Sequence, residues 1–236
     1  MALNLLVIKI KKLYLHTICA KLINFGDMKS SEKINKIKAV VLYILQSFKD
    51  GTDYIKLFKL MYFAQRMYLA KYGRPIFEDS FRARPLGPVP SLTYKAVKTA
   101  ESGDWSEVTG RAMTSFISAL NIDGKKVSSK RKPDMDYLAK YEVECLNEVI
   151  NEYKDIDSRA LSKMSHNDKA WRAVRKRMRE NEADDMYTIQ DIARAGGASK
   201  EMMKYIKEKQ LIREALSRGT GGRVPVSRII GVINNQ

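Results

Sequence analysis

The sequence predicts a mainly α fold with a small β-sheet: a compact helical α+β domain with a short strand or hairpin insertion and a C-terminal helical hairpin. Three observations carry that prediction. Apolar residues recur at helical spacing over most of the segment from residue 30 to residue 211. Only short stretches, at Phe81-Arg82-Ala83-Arg84 and near Val127, read as strand. Gly, Pro and Asp-Gly signals separate these stretches at intervals that suit short helices. The 236 residues are 44% apolar and 30% charged, which excludes wholesale disorder. A single globule of this length hides roughly 70–75% of its unfolded surface and needs no metal or disulfide to hold it together.

Residues 1–27 stand apart. Their longest strictly apolar run, Leu5-Leu6-Val7-Ile8, is broken by Lys9, Lys11 and Lys12, far short of the ~20 residues a membrane span requires. The basic residues follow the apolar run, the reverse of a secretory signal. This extension reads either as an amphipathic helix or, the preferred reading, as an upstream segment that is not translated, because Met28-Lys29-Ser30-Ser31 opens a better-formed sequence.

The first helix is expected from Glu32 to Phe48, capped by Ser31, with Ile34, Ile37, Val41, Ile44, Leu45 and Phe48 inward. A second runs from a cap at Thr52 to Gly73. It is apolar nearly all round, which marks it as the central core element. Phe81–Arg84 is the strand, and Gly87-Pro88-Val89-Pro90-Ser91 a rigid turn that ends in an N-cap. Helix resumes through Tyr94 and Val97 and again over 105–119, followed by a turn at Asn121-Ile122-Asp123-Gly124. Asp134 is expected to cap a long helix whose core face carries Leu138, Tyr141, Val143, Leu146, Val149, Ile150 and Tyr153. A short helix surrounds Leu161, and a basic one spans Asp168 to about Glu180. Thr188-Ile189-Gln190-Asp191 is a capping box with Asp in place of Glu or Gln. It opens a helix that stops at Gly196-Gly197, and Ser199 caps the next. Val224 to Ile233 reads as weakly strand-like. The organisation is thus an extension over 1–27, one domain over 28–180, its helical hairpin over 181–210 and a divergent tail over 211–236.

The charge balance is strongly basic, with 43 Lys and Arg against 27 Asp and Glu for a net charge of +16. The excess is distributed (+3 over 1–27, +7 over 28–169, +6 over 170–236) rather than collected in one nucleic-acid arm. The densest runs, Lys125-Lys126, Lys130-Arg131-Lys132 and the set Arg172, Arg175-Lys176-Arg177 and Arg179, read as solvated faces. Two cysteines, Cys19 and Cys145, and two histidines, His16 and His166, leave no ligand set for zinc and suit a reducing cytoplasm.

Enzyme signatures fail on inspection. Ser165-His166-Asn167-Asp168 places a Ser, a His and an Asp too close in sequence to face one another as a triad. His166 reads instead as a helix-terminal residue bonded to backbone. Neither Gly196-Gly197 nor Gly219-Thr220-Gly221-Gly222-Arg223 is followed by the Lys-Ser/Thr pair of a phosphate loop. Glu142 and Glu144 cannot share a helix face. No cofactor is implied. The segment from Thr188 to Leu211 has the outline of a helix-turn-helix with Lys200, Lys204 and Lys207 on its second helix. That face suits phosphates better than bases, and a helical hairpin closing the domain is the favoured reading. Tyr54, Phe58, Tyr62, Phe63, Tyr68, Tyr72, Phe77 and Phe81 crowd into one stretch. There Phe58 and Phe63 read as core, whereas Tyr62, Tyr68 and Tyr72 also suit protein recognition.

At these residues the sequence resembles a known family. Lys59-Leu60-Met61-Tyr62-Phe63-Ala64-Gln65, Gly73-Arg74-Pro75-Ile76-Phe77, Phe81-Arg82-Ala83 and Leu86-Gly87-Pro88-Val89-Pro90-Ser91 are similar to the motifs of the Panacea family, the SocA-like, phage-associated antitoxin domains. Leu161-Ser162, Ser165-His166 and Trp171 resemble its downstream element, and the similarity extends over roughly residues 30–210. The resemblance implies a small helical domain without catalytic activity, in a bacterial or prophage toxin–antitoxin operon. It also implies a cytoplasmic location and a cognate protein toxin as partner. The namesake adaptor hands its toxin to the ClpXP protease, so a ClpXP-type protease is a second implied partner. Nucleic acid, through the 188–211 segment of a phage or prophage regulator, is the less favoured alternative, and no membrane is implied. Two departures stand out: Arg84-Pro85-Leu86 precedes the Gly-Pro pair where a Lys-Tyr or similar pair is usual, and residues 211–236 match nothing in the family. The expected contact residues are Tyr62, Tyr68, Arg82 and Arg84, since Tyr and Arg dominate interface hot spots.

Overall fold

The structure, a computed structural model, describes residues 30–181 and 184–217. The N-terminal extension, with Cys19, and the strand-like stretch from Val224 to Ile233 lie outside the described residues. Within them the fold is mostly helical with two small antiparallel sheets, the predicted α+β class. Among the described residues, no helix is long and apolar enough to cross a membrane.

Helix α1 (Ser30–Leu45) buries Ile37, Val41, Ile44 and Leu45 as its spacing predicts. Helix α2 (Tyr54–Tyr72) is the axis of the domain, and every residue from Leu57 to Gln65 is buried. Its cap is not Thr52 but Asp53, whose carboxylate accepts from Ile55 N at 2.7 Å. Thr52 is committed to a strand, β1 (Thr52–Asp53), paired with Val127. Strands β4 (Leu120–Asp123) and β5 (Lys126–Ser129) complete that sheet in the order β1-β5-β4. The strand expected near Val127 is therefore present. The turn predicted at 121–124 is displaced, because Asn121, Ile122 and Asp123 pair with Ser128, Val127 and Lys126 and the chain reverses only at Gly124-Lys125.

The second sheet pairs β2 (Phe81–Arg84) with β3 (Gly87–Pro90), so the stretch predicted as a rigid turn is a strand. Prolines are tolerated there because of register. Pro88 and Pro90 lie opposite Ala83 and Phe81, whose backbone groups turn the other way: Ala83 N donates to Asp185 O, and Phe81 O accepts from Tyr187 N. The missing proline N–H groups thus face no acceptor in β2, and residues 185–187 line its other edge.

Helix α3 (Ser91–Ser102) is capped from outside. The Asp79 carboxylate accepts from Leu92 N, Thr93 N and Thr93 Oγ1 at 2.8–2.9 Å, while Ser91, the expected cap, bonds Ser80 O. Helix α4 (Arg111–Ser118) starts later than the predicted 105, since Ser106 N is taken by the Asp104 carboxylate in a turn. Asp134 caps only a short 3-10 turn, Met135–Tyr137. The long helix α5 begins after it (Lys140–Tyr153), where Glu142 reaches back to Ala139 N. Leu146, Val149, Ile150 and Tyr153 are core as expected, but Tyr141 is 56% exposed. Helices α6 (Ser158–His166), α7 (Lys169–Glu180), α8 (Ile189–Ala195) and α9 (Lys200–Ser217) follow. The capping box at Thr188 forms with Asp191 as predicted. Helix α9 continues past residue 210.

Candidate functional site

The motif positions converge on one place, and that place is buried. Lys59, Tyr62, Phe63 and Ala64 come from the middle of α2, Gly87 and Pro88 from β3, Ser162 and His166 from α6, and Trp171 from α7. Lys59 is wholly buried, with Nζ donating to Pro88 O at 2.9 Å. Burial without an acidic partner pulls its pKa down to about 7. Ser165 Oγ donates to Ser162 O across one turn of α6.

Gly87 is where these parts meet. Its φ of 97° lies in the region glycine alone enters freely. A Cβ there would lie 2.5 Å from Ser165 Oγ and 3.1 Å from Lys59 Nζ.

Tyr62 donates to Asp168 Oδ2 at 2.5 Å, and Asp168 Oδ1 caps α7 by accepting from Trp171 N at 2.8 Å. Arg66 stands 3.6 Å from the same carboxylate. Burial, reinforced by Asp168, raises the Tyr62 phenol well above its ordinary range, so the hydroxyl stays protonated and donates. Edge-on contacts with Phe81 and Tyr187 surround the ring. The expectation that Tyr62 and Tyr68 offer a recognition surface is thus corrected, since both are fully buried. Tyr68 packs on Tyr72 and accepts from Arg74 at 2.9 Å. Gln65, also within the motif, pins the loop after α2 by bonding Ile76 N and Phe77 O. Pro75 stands in that loop, and the Phe77 ring is core. The α2 helix ends at Gly73, as predicted.

His166 is corrected in detail. It ends α6, but its Nε2 is buried with no partner among the described residues, and the ring lies against Trp171 at 4.3 Å and a 42° tilt rather than bonding to backbone. Burial and the nearby Lys59 hold it below the usual imidazole range. Cys145 packs with Sγ 3.6 Å from Ala64 O, its thiol pushed up to about 11 by burial.

The surface above this core is different. Arg82 and Arg84 share one carboxylate, with Nη1 of each at 2.6 and 3.6 Å from Asp185. Val89 faces Arg82 across the hairpin, and Leu86 at its tip is 52% exposed. A second exposed cluster gathers at the C-terminal end of α2. Tyr141 lies against Tyr72, and Tyr205 and Met202 lie against Gly73. The sequence signal for Tyr141 pointed inward, and none marked Tyr205. Asp185 and Tyr187, which edge β2, were likewise invisible because their partners lie a hundred residues upstream.

A shallow cavity of about 540 Å³ opens elsewhere, over Gly110, Arg111, Thr114, Ser115, Ser118 and Arg131, and contains none of the motif residues. Among the described residues no group of three His, Cys, Asp or Glu side chains stands close enough to hold a metal ion. The 188–211 hairpin presents Lys200, Lys204 and Lys207 on α9. Its turn docks tightly: a Cβ on Gly196 would lie 2.2 Å from Arg66 O, which supports a hairpin that closes the domain.

The fold and this interior are those of a small helical domain built round a motif core. Residues 57–172 match the family model for the antitoxin SocA-like, Panacea domain, so the resemblance read from the sequence holds over this segment and takes in every motif position from Lys59 to Trp171. No curated protein and no solved structure matches the chain.

Proposed function

We propose that this protein is a non-catalytic antitoxin that neutralises a cognate protein toxin by direct binding in the bacterial cytoplasm, with delivery to a ClpXP-type protease as a further step. The family match over residues 57–172 carries this reading, because it supports an antitoxin-type role for the domain. The geometry adds how the work is divided. The motif residues hold the interior together, which leaves recognition to the side chains around them. The β2–β3 edge is the proposed contact surface: Arg82 and Arg84 with half-exposed side chains, and Leu86 as an apolar anchor beside them. Asp185 holds both guanidiniums from one side, so they are pre-oriented for a carboxylate on the partner. Tyr62 and Tyr68 act from beneath, by fixing the scaffold.

Co-expression with the product of the adjacent gene tests this reading. Relief of that product's toxicity, with co-purification of the two proteins, is the expected result. Absence of toxicity and of any complex would refute it. Within a positive result, loss of the complex in Arg84→Ala/Leu86→Ala with retention in Tyr141→Ala/Tyr205→Ala places the contact at the hairpin. The opposite pattern moves it to the tyrosine cluster.

A further inference from the structure

Six of the twelve residues of α7 are Lys or Arg, and its one acid, Glu180, is the last residue. Arg177 is committed to the interior side, where it meets Asp191 at 2.8 Å, Asp184 at 3.2 Å and Met186 O at 2.7 Å. Arg172, Arg175, Lys176 and Arg179 are spaced i, i+3, i+4 and i+7, so they form one stripe along the helix. All four are exposed.

None of the four forms a salt bridge among the described residues; Arg175 has only the Trp171 ring, at 5.8 Å. Some exposed cations elsewhere do have acids beside them, as in Lys95–Glu107, Lys98–Glu101, Lys204–Glu208 and Arg213–Glu78. The acids packed near α7 are already taken: Asp184 and Asp191 by Arg177, and Asp185 by Arg82 and Arg84. Residues 218–236 carry three arginines and no acid, so that segment has nothing with which to neutralise the stripe.

Four like charges within about 10 Å of helix repel one another, and only a polyanion relieves them all together. A protein partner would also need an apolar centre, yet no large hydrophobic residue of α7 is among the exposed ones. A phosphate backbone needs none. The arginine forks suit phosphate oxygens, and the chain's net charge of +16 favours the same occupant.

We propose that the outer face of α7 is a docking site for a nucleic-acid backbone, in which Arg172, Arg175, Lys176 and Arg179 contact successive phosphates without reading sequence. The proposal is independent of the toxin-binding reading and uses a different surface from the 188–211 hairpin.

Fluorescence anisotropy of the full chain tests it, with labelled 20-nucleotide single strands and 20-base-pair duplexes of unrelated sequence titrated at several salt concentrations. Affinity is expected to vary little with sequence and to fall with salt at a log–log slope of about −3 to −4, the value for four phosphate contacts. Arg172→Gln/Arg175→Gln/Lys176→Gln/Arg179→Gln is expected to lose at least about tenfold in affinity and most of that slope. Lys200→Gln/Lys204→Gln/Lys207→Gln is expected to bind like the parent. Should the fourfold variant fail to fold by circular dichroism, Arg172→Gln and Arg179→Gln alone are each expected to reduce the slope by about one. Absence of binding at low salt, binding indifferent to the α7 substitutions, or binding to poly-glutamate but not to oligonucleotides would each overturn it.

Discussion

The two sides of α7 follow opposite rules. On the inner side Asp168, Trp171 and Arg177 have partners from α2, α6 and the segment that edges β2. On the outer side four exposed cations form no salt bridge among the described residues. The inner side belongs to the motif core, where unmatched polarity is costly. The outer side is in water, where an unmatched charge costs little and is available to a partner. The difference teaches that the residues defining the family motif are the scaffold, and that the side chains available for recognition lie around it.

The largest effect that tests this division is expected at Gly87. Gly87→Val adds a side chain where Ser165 Oγ and Lys59 already stand, at a positive φ hostile to β-branched residues. A loss of about 4 kcal/mol or more in urea denaturation is expected, or failure to fold. A loss under about 1 kcal/mol would show that the motif core is loosely packed.

Lys59 sharpens the comparison through pH. Its folded pKa of about 7 lies below the ordinary lysine value of 10.5, so above pH 7 the unfolded chain holds a proton that the folded protein lacks. Stability should therefore rise with pH from about 7 upward, by about 3 kcal/mol at pH 9.5. Below about 7 the folded protein is protonated too and carries the full penalty. The window closes near 10, where Tyr62 and Tyr187, their phenols raised by burial, begin to favour the unfolded chain. Lys59→Met should flatten the rise. Denaturation midpoints at pH 7.0, 8.0, 9.0 and 9.5 check it, and a parent curve as flat as the variant's would mean that Lys59 is solvated.

Asp168 comes next. Asp168→Ala removes the acceptor for Tyr62, the cap of α7 and the Arg66 partner, for an expected cost of about 2–3 kcal/mol. Asp168→Asn keeps an acceptor for the cap and should recover part of that loss. Equal losses in the two variants would show that the charge, rather than the hydrogen bonds, matters here.

What could be read from the sequence follows local chemistry. The central helix, the strand at Phe81, the Thr188 capping box and the stop at Gly73 depend on residues within a few positions of one another. Strand β3 could not be read, because two prolines signal a turn unless residues 185–187 are known to take the other edge of β2. Tyr62 and Tyr68 could not be placed inside, since a helix apolar on all sides gives no outward face to assign. Lys59 is the hardest case: a lysine in a helix reads as surface, yet it is buried where the Gly87-Pro88 backbone meets its ammonium. Tyr141 failed for the opposite reason. Its spacing to Cys145 and Val149 fits the core face, but in the first turn of α5 the inward position belongs to Glu142, which is buried and paired with Lys36.

The smallest effect on stability is expected at Arg84, and that is its use. Its side chain is 57% exposed and stands 3.6 Å from a carboxylate that Arg82 already holds at 2.6 Å. An exposed pair of that kind contributes little, so Arg84→Ala should change stability by no more than about 0.5 kcal/mol. Binding is where it should register. A guanidinium held at an interface by a neighbour and desolvated by a partner can contribute about 2 kcal/mol or more. Isothermal titration of the purified toxin complex, beside a thermal melt of the free variant, separates the two. Weakened binding with an unchanged melt places recognition on the β2–β3 edge. Unchanged binding with an unchanged melt removes Arg84 from the contact and turns attention to Tyr141 and Tyr205. A lowered melt would join the edge to the core and dissolve the division between them.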